Sequence, residues 1–217
     1  MDFLKDEFIA KDGSSIIITF YAHASIGLLW KGIQIYIDPA GDYNQIDFSR
    51  EPKADIILIT HHHRDHLDCN SINQLNNGHS FIVSSKECKV GIETKPGDIF
   101  NIHDLTIEVV PAYNITLENL NYHPKSRYDC GYILNIGGSR IYFAGDTEDN
   151  DDVLSLRNIE IAFLPINQPY TMNATQFVNV IRAITPKIVY PYHYFQEKIE
   201  EDLKLIMSSL TNKFWYK

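Results

Sequence analysis

Short apolar runs separated by turn residues fill the first half of the chain, a pattern that predicts successive strands. Residues 15–21 (SIIITFY) are rich in β-branched and aromatic side chains, and Ser25–Trp30 continues the run. Lys31-Gly32 reads as a hairpin turn into Ile33–Ile37. Residues 56–60 (IILIT) are continuously apolar, as in a strand buried on both faces. Residues 68–76 predict a short helix with Asp68 as its N-cap, and residues 81–84 and 105–110 predict further strands.

The second half follows the same style. Residues 132–136, a Gly137-Gly138 turn and residues 140–144 make a hairpin, and residues 159–164 make another strand. Phe177, Val180, Ile181 and Ile184 recur at helical spacing within Ala174–Ile184, and Pro186 marks the end of that helix. Ile199, Leu203, Ile206 and Leu210 line one face of a second helix over 197–210, and residues 188–190 between the two form a strand leading to His193. Residues 32–38 (GIQIYID) echo residues 138–146 (GSRIYFAGD), either by chance between two buried strands or as a two-fold repeat. The longest irregular stretch, 113–128, reads as a functional loop rather than a domain boundary.

Composition narrows the function classes. A chain of 217 residues suits one domain spanning 1–217. The net charge of -9 argues against a nucleic-acid surface, which needs clustered Lys and Arg. Cys69, Cys88 and Cys130 show no paired spacing and read as reduced, buried thiols. The N-terminal residues lack the basic and apolar regions of a signal peptide, and no run approaches the roughly 18 apolar residues that span a bilayer. The expectation is a cytoplasmic protein with a small-molecule substrate and neither nucleic acid nor membrane as partner.

The strongest chemical signal is the run Thr60-His61-His62-His63-Arg64-Asp65-His66. Imidazole nitrogens and carboxylate oxygens suit zinc first, with manganese or iron as alternatives. His61, His63, Asp65 and His66 leave a buried strand together, which pre-organises them, and their crowding points to two ions rather than one. His62, between alternating ligands, reads as a spacer. An exposed His-rich turn is the competing reading, and the buried strand just before the run weighs against it.

His61-x-His63-x-Asp65-His66 resembles the HxHxDH signature of the metallo-β-lactamase superfamily. Phe143-Ala144-Gly145-Asp146-Thr147 and Val189-Tyr190-Pro191-Tyr192-His193 resemble its later elements. His23-Ala24-Ser25, Ile37-Asp38-Pro39, Pro165-Ile166 and Tyr170-Thr171-Met172 are similar to the bacterial branch that includes the ascorbate-6-phosphate lactonase. The likeness runs over about residues 19–194. It implies an α/β four-layer αββα sandwich of two mixed β-sheets flanked by helices. It also implies a first metal on His61 and His63, and a second on Asp65, His66 and His193, with Asp146 bridging. Where many members place a further first-site His, this chain has Asn114. Either Asn114 coordinates as a weaker, harder ligand, or His123 from the next loop takes the place, or the first site is incomplete.

Other positions are open to two readings. His23 and Asp38 stand at the rim of the site, or His23 is a satisfied core histidine. Asp68 orients His66 or caps the helix after it. His79 and His103 read as surface residues. The loop 122–128 (YHPKSRY) either holds a substrate anion or is plain surface charge. The chemistry implied is hydrolysis of an ester, lactone or phosphodiester in a small metabolite by a metal-activated hydroxide, with Asp65 as both ligand and proton acceptor. The alternative is a metal-binding scaffold or sensor of little turnover, motivated by Asn114. Either way, one or two divalent ions per chain are expected.

Overall fold

The computed structural model describes residues 3–195, together with Glu201, Lys204, Ile206 and Ser208, which are helical. The rest of the helix expected over 197–210 lies outside the described residues. Seven strands form the first sheet in chain order: β1 (Leu4–Ile9), β2 (Ser15–Ala22), β3 (Ser25–Trp30), β4 (Ile33–Ile37), β5 (Ala54–Ile59), β6 (Asn76–Ser85) and β7 (Ile92–Thr94). Six form the second: β8 (Ile99–Ile102), β9 (Leu105–Pro111), β10 (Cys130–Ile136), β11 (Ser139–Phe143), β12 (Ile161–Pro165) and β13 (Ile188–Tyr192).

Side-chain alternation along the strands builds the layers. In β5, Ile56 and Leu58 enter the core between the sheets, while Ile57 and Ile59 face outward. In β10, Tyr132 and Leu134 face the other sheet and Ile133 faces away. Because both faces of these strands are covered, they read as continuous apolar runs. α1 (Gly41–Asn44) and α2 (Cys69–Leu75) lie in the first half of the chain, and Ile72 and Leu75 of α2 cover Ile57 and Ile59. α3 (Asp151–Leu154) contributes Val153, and α4 (Ala174–Ile184) contributes Phe177, Val180 and Ile184, to the outer face of the second sheet. The fold is thus helix, sheet, sheet, helix, as expected. A capping box between Asn173 and Gln176 starts α4, and Asp68 caps α2 by accepting from the Asn70 N–H.

The echo between residues 32–38 and 138–146 has a counterpart in topology. From β1 to β6 the successive pairings are antiparallel three times and then parallel twice. The series β8 to β13 repeats that sequence. β4 and β11 hold equivalent places, so Asp38 and Asp146 emerge beyond equivalent strands of the two sheets.

Three strands went unannounced in the sequence pattern, as did the single-turn helices α1 and α3. β1 carries Lys5, Asp6 and Glu7 and is an edge strand largely open to solvent, so no apolar alternation announces it. β7 and β8 are only three and four residues long, too short for a periodicity to register. Of the cysteines, Cys88 and Cys130 are buried free thiols, but Cys69 is exposed because it opens α2 on its solvent side.

Candidate metal centre

Loops leaving β4, β5, β11 and β13 meet at one end of the sandwich, where carboxyl ends of strands commonly build sites in α/β folds. Beyond β5, Thr60 and His61 are fully buried. The Thr60 N–H and hydroxyl both donate to the Asp38 carboxylate, at 2.7 Å each. With its proton so used, Thr60 Oγ1 accepts from His61 Nδ1 at 3.0 Å. Asp38 also takes the Nδ1 proton of His66 at 2.8 Å. Each imidazole is thereby held by Nδ1 and turns Nε2 toward the position a cation would take.

Beyond β11, Gly145 adopts φ +64°, and a Cβ there would lie 2.7 Å from the Cys130 carbonyl oxygen, so the residue before Asp146 must be glycine. Asp146 receives four imidazoles. His193 Nε2 stands 3.1 Å and His123 Nε2 3.3 Å from Oδ2, His66 Nε2 3.3 Å from Oδ1, and His61 Nε2 3.7 Å from Oδ2. Asp65 Oδ2 lies 3.2 Å from His193 Nε2, 3.3 Å from His23 Nε2 and 3.8 Å from His66 Nε2. Three overlapping donor sets result: His61, His63, His123 and Asp146; His66, Asp146 and His193; and His23, Asp65 and His193. Within each set the donor atoms lie within 4.8 Å of one another.

The donors fit a cation. His61 Nε2, His66 Nε2 and Asp146 Oδ1 are buried and have no hydrogen-bond partner. Each buried orphan costs about 1–3 kcal/mol, an expense that a bound dication removes. Backbone geometry points the same way: His23, Asp38 and His193 all sit at positive φ, near +50°.

Without a cation the site divides electrostatically. Burial, reinforced by the neighbouring His66, holds His61 far below the ordinary imidazole range. Burial also brings His63 down to about 4. For His66, His123 and His193 burial pulls the same way but loses to carboxylates. Asp146 and Asp38 raise His66; hydrogen bonds to Asp129 and Asp146 raise His123; and Asp146 pushes His193 up to about 9. Asp146 and Asp65 are ionised well below the usual carboxylate range: burial opposes this, but the facing imidazoles outweigh it.

The structure also settles where the open positions lie. His123, from the loop between β9 and β10, is buried and joins the first donor set, with Nδ1 donating to Asp129 at 3.2 Å. Asn114 turns Nδ2 to the carbonyl oxygens of Tyr170 (2.8 Å) and Asn119 (3.2 Å), and its N–H donates to the His123 carbonyl oxygen. Asn114 therefore anchors the loop that presents His123, and its Oδ1 is left without a partner. His23 contacts Asp65; Asp38, the other rim position, is buried and holds Thr60 and His66 instead. Asp68 accepts from Asn70, Ser71 and the Asp42 N–H, so it serves the helix and not His66. His62 and His79 are exposed.

Sequence reasoning passed over Asp129, Arg127 as its partner, Glu148 and Thr60. Arg127 donates to Asp129 and lies 3.4 Å from His63 Nε2, so this cation of the 122–128 loop is spent within the site's frame. Lys125 pairs with Asp152. Buried Glu148 accepts from the Ile115 and Thr116 N–H groups and from Asn119, fixing the start of the loop that delivers His123. The only early signal for Glu148 was its place two residues after Asp146.

Asp38→Asn removes the full acceptor charge from His66 Nδ1 and from Thr60. It is expected to weaken cation affinity by about 10- to 100-fold, as losses of such supporting partners do. Competition against a chromogenic chelator measures it, and wild-type affinity would show that Asp38 holds only the backbone.

Comparison with known proteins places this geometry. The beta-lactamase superfamily domain matches residues 17–193, a span that takes in every donor named above. The chain belongs to the metallo-β-lactamase superfamily. Within it, a UPF0173 protein of Pyrococcus abyssi is 31% identical over 187 residues, covering 82% of each chain. A UPF0173 metal-dependent hydrolase of Archaeoglobus fulgidus is 30% identical over 205 residues, 86% of this chain and 88% of that one. A solved structure from Parabacteroides distasonis, named as a metal-dependent hydrolase, shares 40% identity with a TM-score of 0.91 over 100% of this superfamily member and 99% of that chain.

Proposed function

We propose that this protein is a metal-dependent hydrolase acting on an ester, lactone or phosphodiester bond of a small metabolite. One ion would be held by His61, His63, His123 and Asp146, and a second by Asp65, His66, His193 and Asp146. The observation that carries this reading is the convergence of unpartnered, buried Nε2 and Oδ1 atoms on Asp146. The names of the relatives, metal-dependent hydrolases, support it. The donor chemistry favours zinc, with manganese and iron as alternatives. The likeness of residues 23–25, 37–39 and 170–172 to the lactonase-containing branch makes a lactone or phosphoester the first substrate class to test.

Bound at this site, a dication supplies Lewis acidity and brings the pKa of water to about 7. Asp65, ionised and held by His23 and His193, is placed to accept a proton. Asp38, Asp129 and Thr60 hold the imidazole rings, so little reorganisation accompanies reaction. A cavity of about 270 Å³ opens onto His63, Asp65, His123, Asp146 and His193 and admits a compact substrate. The scaffold alternative rested on Asn114, and the place of His123 beside His61, His63 and Asp146 supports the hydrolase reading over it. The proposed location is the cytoplasm, supported by three free thiols, which persist in reducing compartments. No helix among the described residues is long and apolar enough to cross a membrane.

Elemental analysis of the purified protein, paired with a screen of lactones, phosphodiesters and phosphomonoesters, tests the proposal. Bound metal with turnover supports it; tightly bound metal with no turnover over that panel returns the scaffold reading.

Protonation gives a further expected result. At pH 7 the metal-free His193 carries a proton, so cation binding there should release it. Affinity should then climb with pH up to about 9. The folded pKa of His193 is raised above 6.5, so its contribution to metal-free stability is complete below 6.5 and lost as pH rises through about 9. Calorimetry in buffers of differing ionisation enthalpy reads the proton release, and a heat independent of buffer would contradict it.

A further inference from the structure

The cavity over the donor cluster has a volume of about 270 Å³. Its inner surface is the buried donor set. Its outer lining is of another kind: Tyr43, Arg64, Tyr122, Asn167, Tyr170 and Phe195. Tyr122, Tyr170 and Phe195 are 37%, 40% and 45% exposed, an unusual expense of aromatic surface around one small opening.

Two polar side chains in this lining make no hydrogen bond or ion pair among the described residues. Asn167 is only 5% exposed, yet among the described residues its carboxamide makes no hydrogen bond; only its backbone is engaged, with Thr171, Tyr170 and the loop after it. The carboxamide faces the cavity and is not sealed from solvent, so it is free to exchange water for a polar group of a ligand. Arg64 is exposed at the cavity mouth, lies over the Tyr43 ring with its Cζ 5.5 Å from the centroid, and forms no ion pair among the described residues. The neighbouring cations differ from it, since Arg127 is bound to Asp129 and Lys125 to Asp152. Arg64 lies in the chain between two donors of the centre, His63 and Asp65, and lines the same cavity as they do.

We propose that Arg64 and Asn167 form a substrate-binding subsite for a small anionic substrate, an oxyanion-bearing ester or lactone with a flat or apolar body. Arg64 takes the carboxylate or phosphate in its fork, which matches either geometry, and its stacking on Tyr43 limits the freedom lost on binding. Asn167 donates to a carbonyl or hydroxyl oxygen of the same molecule. Tyr122, Tyr170 and Phe195 cover the body. The assignment rests on the hydrolase reading, since it names the class of molecule that would reach the proposed centre.

Equilibrium binding to the metal-loaded protein tests the subsite without requiring turnover. Phenylacetate and phenylphosphonate are the anionic probes and phenylacetamide the neutral one, followed by calorimetry. Arg64→Gln is expected to weaken whichever anion the subsite prefers by about tenfold and to leave phenylacetamide unchanged, with metal content as in the wild type. Comparing the two anions tells a carboxylate subsite from a phosphate one. Asn167→Ala should weaken phenylacetate and phenylacetamide alike. Equal affinity of wild type and Arg64→Gln for both anions, or no anion binding by the wild type, overturns the proposal. A protein that binds these probes as expected but turns over no ester, lactone or phosphodiester would refute the hydrolase reading and leave the subsite standing.

Discussion

Asp146→Asn is expected to lower kcat/KM by about a thousandfold and to reduce bound metal, the largest effect of any single substitution here. The residue is the one carboxylate shared by the first two donor sets, with four imidazole nitrogens between 3.1 and 3.7 Å from its oxygens. Asparagine keeps the shape and removes the charge. Two dications and several imidazoles would then face one another with a single carboxylate, Asp65, directly among them. In the buried site that repulsion is poorly screened, so affinity falls at both positions. The metal-free variant should still fold, because the apolar core between the sheets is untouched. Elemental analysis and steady-state kinetics on the same preparation check this. Full activity with undiminished metal would remove Asp146 from the centre.

The legible part of this site is the part in which chemistry is local in sequence. His61, His63, Asp65 and His66 follow a strand whose burial is written in consecutive Ile and Leu residues, so both the cluster and its rigid support could be read directly. Asp146 and His193 stand alone in sequence and were legible only through a resemblance to known motifs. The supporting partners are less visible still. Asp38 meets Thr60 and His66 because β4 and β5 are parallel neighbours, and nothing in the string of residues states that pairing. Asp129 lies six residues after His123, but its role depends on how the loop 113–128 folds around buried Asn114 and Glu148. Among the strands, those covered on both faces were read correctly, whereas β1 escaped because its charged residues face solvent. Burial writes itself into sequence; contact between distant loops does not.

Replacing His123 with Ala should reduce the metal content from the proposed two ions per chain to about one and lower kcat/KM by about a hundredfold. His123 is the only member of the first donor set that does not come from the 61–66 run or from the strand end at Asp146. Without it, the first position keeps only His61, His63 and a carboxylate it must share with the second ion, so its hold on a cation is the weaker of the two. The second position keeps Asp65, His66, Asp146 and His193, so it should hold its ion. Asp129 retains Arg127 at the position His123 leaves, which spares the fold an unpaired buried carboxylate. Adding Asn114→His to the same background separates the two ways the site could be completed. The Asn114 amide is committed to the Tyr170 and Asn119 carbonyl oxygens, and an imidazole there cannot make both bonds. The double variant should therefore stay at one ion and melt at a lower temperature. Recovery of the second ion would mean that position 114 reaches the metal, and that the loop from Tyr113 to Tyr128 presents either residue to it.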